Sequence, residues 1–275
     1  MSRSRRSSFA SISIERILVR ALSPAFDRCE RSDHSAPIDV DLARRQHRSY
    51  VAILRRMADV IEVAPSDLHP DCVFVEDTAV VLDDRTAVVT RPGVRSRQGE
   101  VDEIEGVLVR SGFNVVRMAP PATLDGGDVL RVGARLFVGL STRTNEHGAR
   151  WIGGVAKEMG LDTVVVSVTA GLHLKSCCSL ADEGTLLATA DCPIDDAMAR
   201  REGLRRVVVE EPAGANVLAL GGGRVLVSAA SPRTADQLHK MGLHVQLLDI
   251  SELHKADAAM TCSSVRIPAP GAWCT

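Results

Sequence analysis

The stretch that decides the fold is Asp128-Val-Leu-Arg-Val132, Gly133-Ala134, Arg135-Leu-Phe-Val-Gly139, a helix-length run over 145–159, Gly160, and Thr163-Val-Val-Val-Ser-Val168. Two short apolar runs rich in β-branched and aromatic residues flank a glycine turn, which predicts a hairpin. The run after them ends at Gly160, a helix C-cap signal. A third apolar strand follows. The stretch is therefore one ββαβ unit. The same order precedes it: a β-rich segment over 72–82, a turn at Asp83-Asp84-Arg85, a strand over 86–90, a helix over 97–110 and a strand over 115–118. In that helix Val101, Ile104, Val107 and Leu108 recur at helical spacing. Two further units follow, one with its helix over 194–201 and one over 234–241. A fifth unit is split. Its hairpin joins the strand over 16–20 to the strand over 263–267, and its helix spans 41–60. The two ends of the chain thereby close a ring. Repeats of this length indicate a radial or stacked architecture rather than independent domains. The predicted fold is α/β, a five-bladed α/β propeller of ββαβ units with pseudo-fivefold symmetry, in a single domain over 16–275.

Composition excludes several function classes. Of 275 residues, 45% are apolar and 25% charged, and the formal net charge is −2. A non-specific nucleic-acid binder needs a basic footprint, which is missing here. Aromatic residues make up only 3%, too few for base-stacking platforms. No apolar run approaches the roughly 18 residues of a membrane span. Residues 1–15 are rich in Arg and Ser, as in a transit peptide, and are read here as a disordered tail. Residues 23–37 read as a polar loop, a candidate lid. Seven cysteines, at 29, 72, 177, 178, 192, 262 and 274, include no CxxC pair. A structural zinc site is therefore not expected. Cys177 and Cys178, if adjacent on a strand, face opposite ways and would not easily share an ion.

One polar or reactive residue recurs at the same phase of each unit. Asp77, Asp128, His173, Asn216 and Cys262 follow one another at intervals of 43 to 51 residues. In a ring of blades these strand starts converge on the axis. Asp77, Asp125, Asp128, His173 and Cys262 should therefore meet. A thiol, a base and a carboxylate orienting that base are what nucleophilic catalysis requires. Each has a plainer reading: Cys262 as a small buried hydrophobe, His173 as a satisfied core histidine, Asp125-Gly-Gly-Asp128 as a turn. Glu76 and Asp77, amid Val73, Phe74, Val75 and Val80, are harder to dismiss. At least one should point inward, and a buried carboxylate needs a cationic partner.

Five motifs carry a resemblance. They are Asp71-Cys-Val-Phe-Val-Glu-Asp77 with Thr90-Arg-Pro-Gly93, Thr123-Leu-Asp-Gly-Gly-Asp128, Phe137-Val-Gly-Leu-Ser-Thr-Arg-Thr-Asn145, Gly171-Leu-His-Leu-Lys-Ser176 and Met260-Thr-Cys-Ser-Ser-Val265. In order and spacing they resemble the dimethylarginine dimethylaminohydrolase family of guanidine-modifying enzymes, whose fold is a five-bladed α/β propeller. The likeness spans about residues 16 to 268. It implies Cys262 as nucleophile, His173 as general acid and base, and Asp125 as the carboxylate orienting it. Glu76 and Asp77 would hold the substrate guanidinium and Asp71 its α-ammonium. Arg97 and Arg143 would bind its carboxylate, and Ala256 would touch it through the backbone. Phe74 and Asp128 join the substrate-binding set.

The resemblance implies hydrolysis of methylated arginines to citrulline through a covalent thiouronium, with neither metal nor organic cofactor. The partner is then a small molecule rather than nucleic acid or membrane. The chain would be cytoplasmic, and a monomer or a homodimer. Two departures stand out. Ser263 follows the nucleophile where many animal members have a second cysteine. The N-terminal loop, with Glu30, matches poorly. Arginine deiminases share the chemistry but carry an inserted helical module. Agmatine deiminase activity would leave Arg97 and Arg143 without a carboxylate. A non-catalytic propeller is the remaining alternative.

Overall fold

Short apolar runs separated by glycine and aspartate turns build small sheets, and a computed structural model shows how they assemble over residues 14–269. Residues 1–13 of the expected tail, and Cys274, lie outside the described residues. The chain opens with β1 (Ile14–Arg20), α1 (Val40–Leu54) and β2 (Asp59–Val63). The next unit is β3 (Ala79–Val81), β4 (Thr86–Val89), α2 (Val101–Arg110) and β5 (Asn114–Arg117). Then come β6 (Val129–Val132), β7 (Arg135–Leu140), α3 (Glu146–Glu158) and β8 (Asp162–Ser167). The third comprises a one-turn α4 (Leu174–Cys177), β9 (Cys178–Asp182), β10 (Thr185–Ala188), α5 (Asp196–Arg201) and β11 (Arg205–Val208). The fourth is β12 (Leu218–Gly221), β13 (Arg224–Ser228), α6 (Pro232–Lys240) and β14 (His244–Leu248). The short α7 (Ser251–His254) leads to β15 (Val265–Pro268).

Among the described residues the strands form five separate three-stranded sheets. In each, the first strand is antiparallel to the second and the second parallel to the third. The fifth sheet is the split one: β15 pairs antiparallel with β1, and β1 parallel with β2. This is the α/β five-unit propeller expected from the repeats.

Three local expectations need correction. The helix over 41–60 stops at Leu54. Residues 59–63 are instead the fifth unit's third strand, with Arg16 opposite Asp59 and Arg20 opposite Val63. Three β-branched residues in five favour that strand, and the ladder satisfies its backbone groups. Residues 14 and 15 belong to β1, not to the tail. The β-rich segment over 72–82 is a strand only at β3. Val75–Thr78 is a 3-10 turn, closed by the Thr78 hydroxyl donating to the Val75 carbonyl at 2.7 Å. That turn swings both Glu76 and Asp77 inward.

Such turns recur at the axis. Val75–Thr78, Gly126–Asp128, α4, Pro212–Ala215 and the turn at 260–263 each precede the inner strand of a unit. They are linked in a cycle. The Gly127 amide donates to Asp77 at 3.0 Å, and the Leu174 amide to Asp128 at 2.8 Å. The Asn216 side chain donates to the Lys175 carbonyl at 2.8 Å and accepts from the Thr261 amide at 2.9 Å. The Glu76 amide then donates to the Cys262 carbonyl at 3.1 Å and closes the ring. Beyond these turns the inner strands surround a cavity of about 150 Å³, with Glu76 and Lys175 among its lining residues.

Apolar side chains of each sheet and helix pack into five clusters between neighbouring units. Leu18 of β1 and Ile104 of α2 are fully buried in one of them. Leu18→Ala should cost about 2–5 kcal/mol in a urea titration. Val208→Ala, on the half-exposed face of β11, should stay within about 0.5 kcal/mol. Equal losses would contradict this packing.

Candidate active site

The turns bring four acidic side chains, a histidine and a thiol to one end of the axis. Asp125 precedes two glycines whose small size is required by close approach. A Cβ on Gly126 would collide with the Glu76 carbonyl. One on Gly127 would lie 2.8 Å from Nδ1 of His173 and 2.9 Å from Oδ1 of Asp77. The Asp125-Gly-Gly-Asp128 run therefore lets three turns meet. His173 Nε2 sits 3.0 Å from Asp125 Oδ2 and 4.0 Å from Asp77 Oδ1. The other Asp125 oxygen accepts from the Gly93 amide at 2.8 Å.

Asp128 does not reach outward. Ser141 and Thr144 hydroxyls donate to it at 2.6 Å each, and it caps the Leu174 amide directly after His173. It is fully buried and positions the histidine turn. Asp77 holds Arg97 Nη1 at 2.7 Å. Arg97 also bonds Glu100 and the Phe74 carbonyl and is only 3% exposed. The resemblance implies a substrate carboxylate for Arg97; here every side of its guanidinium is engaged by Asp77, Glu100 and Phe74. Arg143 differs. It lies 3.8 Å from Asp125, and its buried Nη1 has no hydrogen-bond partner.

Glu76 pairs with Lys175 Nζ at 2.8 Å and accepts from the Thr261 hydroxyl at 2.7 Å. Asp71 is buried and accepts the Glu30 amide at 3.1 Å. Phe74 packs edge-on against Phe26 and beside Arg97. Ala256 is buried in the turn after α7. Its neighbour Asp257 has φ +56°, a left-handed conformation that aspartate tolerates. Asp257 is fixed by the amide and hydroxyl of Ser32. The 23–37 loop is thus tied to Asp71, Ser96 and Asp257 through Glu30 and Ser32. Cys262 is the one half-exposed thiol among the described cysteines, and the Ala259 amide donates to its Sγ at 3.3 Å.

Lys175, Thr261, Glu100 and Ser141 were not singled out from the sequence. Lys175 is one of only four lysines and lies two residues after His173. The Arg97–Glu100 spacing of three residues was also a usable signal.

The charges set the protonation states. Burial pulls His173 down, but Asp77, Asp125 and Asp128 overcome it and raise its pKa to about 9. Burial opposes the charge of Asp77, yet His173 and Arg97 hold its carboxyl below the usual range. Burial, followed by the Glu76 and Asp77 carboxylates, pushes the Cys262 thiol well above its ordinary value. Burial also raises Asp71 to about 6, against the pull of Arg97. At neutral pH the centre therefore carries an imidazolium beside an un-ionised thiol. Asp77, Asp125 and His173 also place ligand atoms within 4.8 Å of one another, a spacing that could hold a cation. Arg97 and Arg143 already face these carboxylates.

No protein-family model matches the chain. N(G),N(G)-dimethylarginine dimethylaminohydrolase of Streptomyces coelicolor is 38% identical over 231 residues, which cover 84% of this chain and 88% of the relative. The chain belongs to the dimethylarginine dimethylaminohydrolase family. A solved structure of the Pseudomonas aeruginosa family member, a cysteine-to-serine variant complexed with citrulline, has a TM-score of 0.85 at 30% identity. It is matched over 92% of this chain and 99% of its own. A histidine-to-glycine dimethylarginine dimethylaminohydrolase, as an adduct with S-methyl-L-thiocitrulline, gives a TM-score of 0.86 at 30% identity over the same shares.

The histidine charge is testable by NMR. The His173 imidazole should titrate near pH 9. Asp125→Asn removes an attractive carboxylate, so its midpoint should move down. A wild-type midpoint at or below the ordinary value of about 6.5 would contradict the assigned electrostatics.

Proposed function

We propose that the protein hydrolyses Nω-methylated arginines, both asymmetric dimethylarginine and monomethylarginine, to citrulline and dimethylamine or methylamine. The observation that carries this reading is the half-exposed Cys262 thiol, joined through its own carbonyl to Glu76, at the axis where Asp77, His173 and Asp125 converge. Family membership supports it.

The substrate's guanidinium brings a positive charge to Glu76 and Asp77. Burial, together with these carboxylates, keeps the Cys262 proton in place while the site is empty. Neutralising them lowers the thiol pKa, and the proton leaves to solvent. The thiolate attacks the guanidinium carbon. His173, charged at neutral pH, gives its proton to the departing amine. A covalent thiouronium on Cys262 remains. Neutral His173 then takes a proton from water, the hydroxide adds to the same carbon, and the thiolate leaves and recovers the proton of the added hydroxyl as citrulline forms. Asp125 orients the imidazole and stabilises its charged form. No step calls for a metal or an organic cofactor.

Remote groups anchor the amino-acid end. Arg143, with a buried donor unpaired, suits the α-carboxylate. Asp71 suits the α-ammonium, and the Ala256 backbone lies beside them in the scheme. Arg97 acts through Asp77, and Phe74 walls the site beside it. Asp128 acts through the His173 turn. One domain supplies every group, so a monomer suffices and a homodimer is compatible. No helix among the described residues is long and apolar enough to cross a membrane. The need for a reduced thiol supports a cytoplasmic setting.

Citrulline release from asymmetric dimethylarginine, monomethylarginine and arginine, measured side by side, tests the reading. The methylated pair should turn over and arginine should not. Cys262→Ser should lose at least about 10³-fold in kcat. Fast turnover of arginine would assign the chain to the deiminases. Hydrolysis that survives Cys262→Ser would overturn the covalent route.

A further inference from the structure

A second group of thiols lies in the unit that carries His173. The sequence reading placed Cys177 and Cys178 on opposite faces of a strand. The structure corrects that: Cys177 closes α4 and Cys178 opens β9, so no strand separates their side chains. Both thiols donate to one carbonyl, that of Leu174, at 3.0 and 3.5 Å. Cys178 stands opposite Ala188 in the β9–β10 ladder, and the Thr189 amide donates to the Cys177 carbonyl at 2.9 Å. The chain then folds back through the turn at 189–192, and Cys192 meets the other two. All three sulfurs lie within 4.8 Å of one another. All three side chains are buried and none is in a disulfide.

We propose that Cys177, Cys178 and Cys192 form a second binding site, a three-thiolate receptor for one soft cation of low coordination number, with cuprous copper as its type.

The donor set selects the ion. Hard cations such as Mg²⁺ and Ca²⁺ require oxygen ligands, and the site offers sulfur alone. Structural zinc takes four ligands in a tetrahedron. Among the described residues no fourth side-chain ligand joins this group. Leu174, Leu186, Val166 and Ile194 pack in the same cluster and wall the site with apolar side chains. Monovalent copper accepts thiolates and needs no fourth donor.

One cationic side chain, paired with Asp196 at 3.6 Å, lies at the edge of this group. Arg206 donates to the Thr189 carbonyl at 2.9 Å, at the start of the Cys192 turn, and its buried Nε has no hydrogen-bond partner. Binding forms copper–sulfur bonds and releases thiol protons to solvent, with no change in oxidation state. The site is separate from Cys262, but α4 runs directly from His173 to Cys177. A bound ion would therefore brace the turn that carries the histidine.

The test uses the full chain with Cys262→Ser, which removes the nucleophile as a competing ligand. Cuprous ion is titrated anaerobically against a chromophoric cuprous chelator. One equivalent per chain should be withheld from the chelator. X-ray absorption of the loaded protein should show three sulfur neighbours and no nitrogen or oxygen. Cys192→Ser and Cys178→Ser, each added to that background, should weaken binding by at least about 10²-fold. A folded Cys262→Ser protein that takes up no copper would overturn the proposal. So would a spectrum with two sulfurs or with nitrogen or oxygen donors, or uptake unaffected in a folded Cys192→Ser variant. Should those core substitutions unfold the chain, the absorption spectrum of the Cys262→Ser protein decides alone.

Discussion

Five hydrogen-bond links between units, each made by a turn at the axis, are the constraint on which the rest of the structure depends. Separate sheets of three strands cannot share a ladder, so neighbouring blades must be registered by other means. Apolar clusters between blades supply most of the adhesion but little direction. The links through Asp77, Asp128, Asn216, Thr261 and Cys262 supply direction. Four of the five employ a buried side chain as donor or acceptor. Leaving any such group unpaired would cost about 1–3 kcal/mol. The residues that register the blades are thus the ones that assemble the reactive centre.

The same links concentrate negative charge. Glu76, Asp77, Asp125 and Asp128 are all buried at the axis, answered by Lys175, Arg97, Arg143 and His173. Two consequences follow from that imbalance of position. The histidine keeps its proton at neutral pH, and the thiol keeps its own. A cation arriving at Glu76 and Asp77 offsets the share of the second condition that those carboxylates add to burial. The fold thereby makes nucleophile activation depend on the charge of the ligand, so that the thiol stays quiet when the site is empty.

Much of this was legible in the sequence, and the failures have physical causes. The recurrence of Asp77, Asp128, His173, Asn216 and Cys262 at one phase gave both the ring and the convergence at its axis, because backbone repeats impose geometry. The split fifth unit was legible for the same reason, although α1 was run on into β2. Helical periodicity does not report where a helix stops when Arg55-Arg56-Met57 contains neither Gly nor Pro. The turn at Val75–Thr78 read as a strand because Val73, Phe74 and Val75 have strong β preference. Tertiary demand for two inward carboxylates prevailed over that preference. The engagement of Arg97 was not legible, since a guanidinium bound to Glu100 and one awaiting a substrate have the same sequence signature. Nor was the meeting of Cys192 with Cys177 and Cys178, which depends on a turn folding back across the end of a ladder.

The measurement that tests the central claim most directly is the titration of the Cys262 thiol with and without a bound cation. The ultraviolet absorbance of thiolate is followed against pH, and the Cys262→Ser spectrum is subtracted so that the other cysteines cancel. The account predicts no Cys262 thiolate at neutral pH in the empty protein, and a midpoint that falls when an unreactive cationic amidine is added. A thiolate already present at neutral pH, or a midpoint unmoved by the cation, would contradict it.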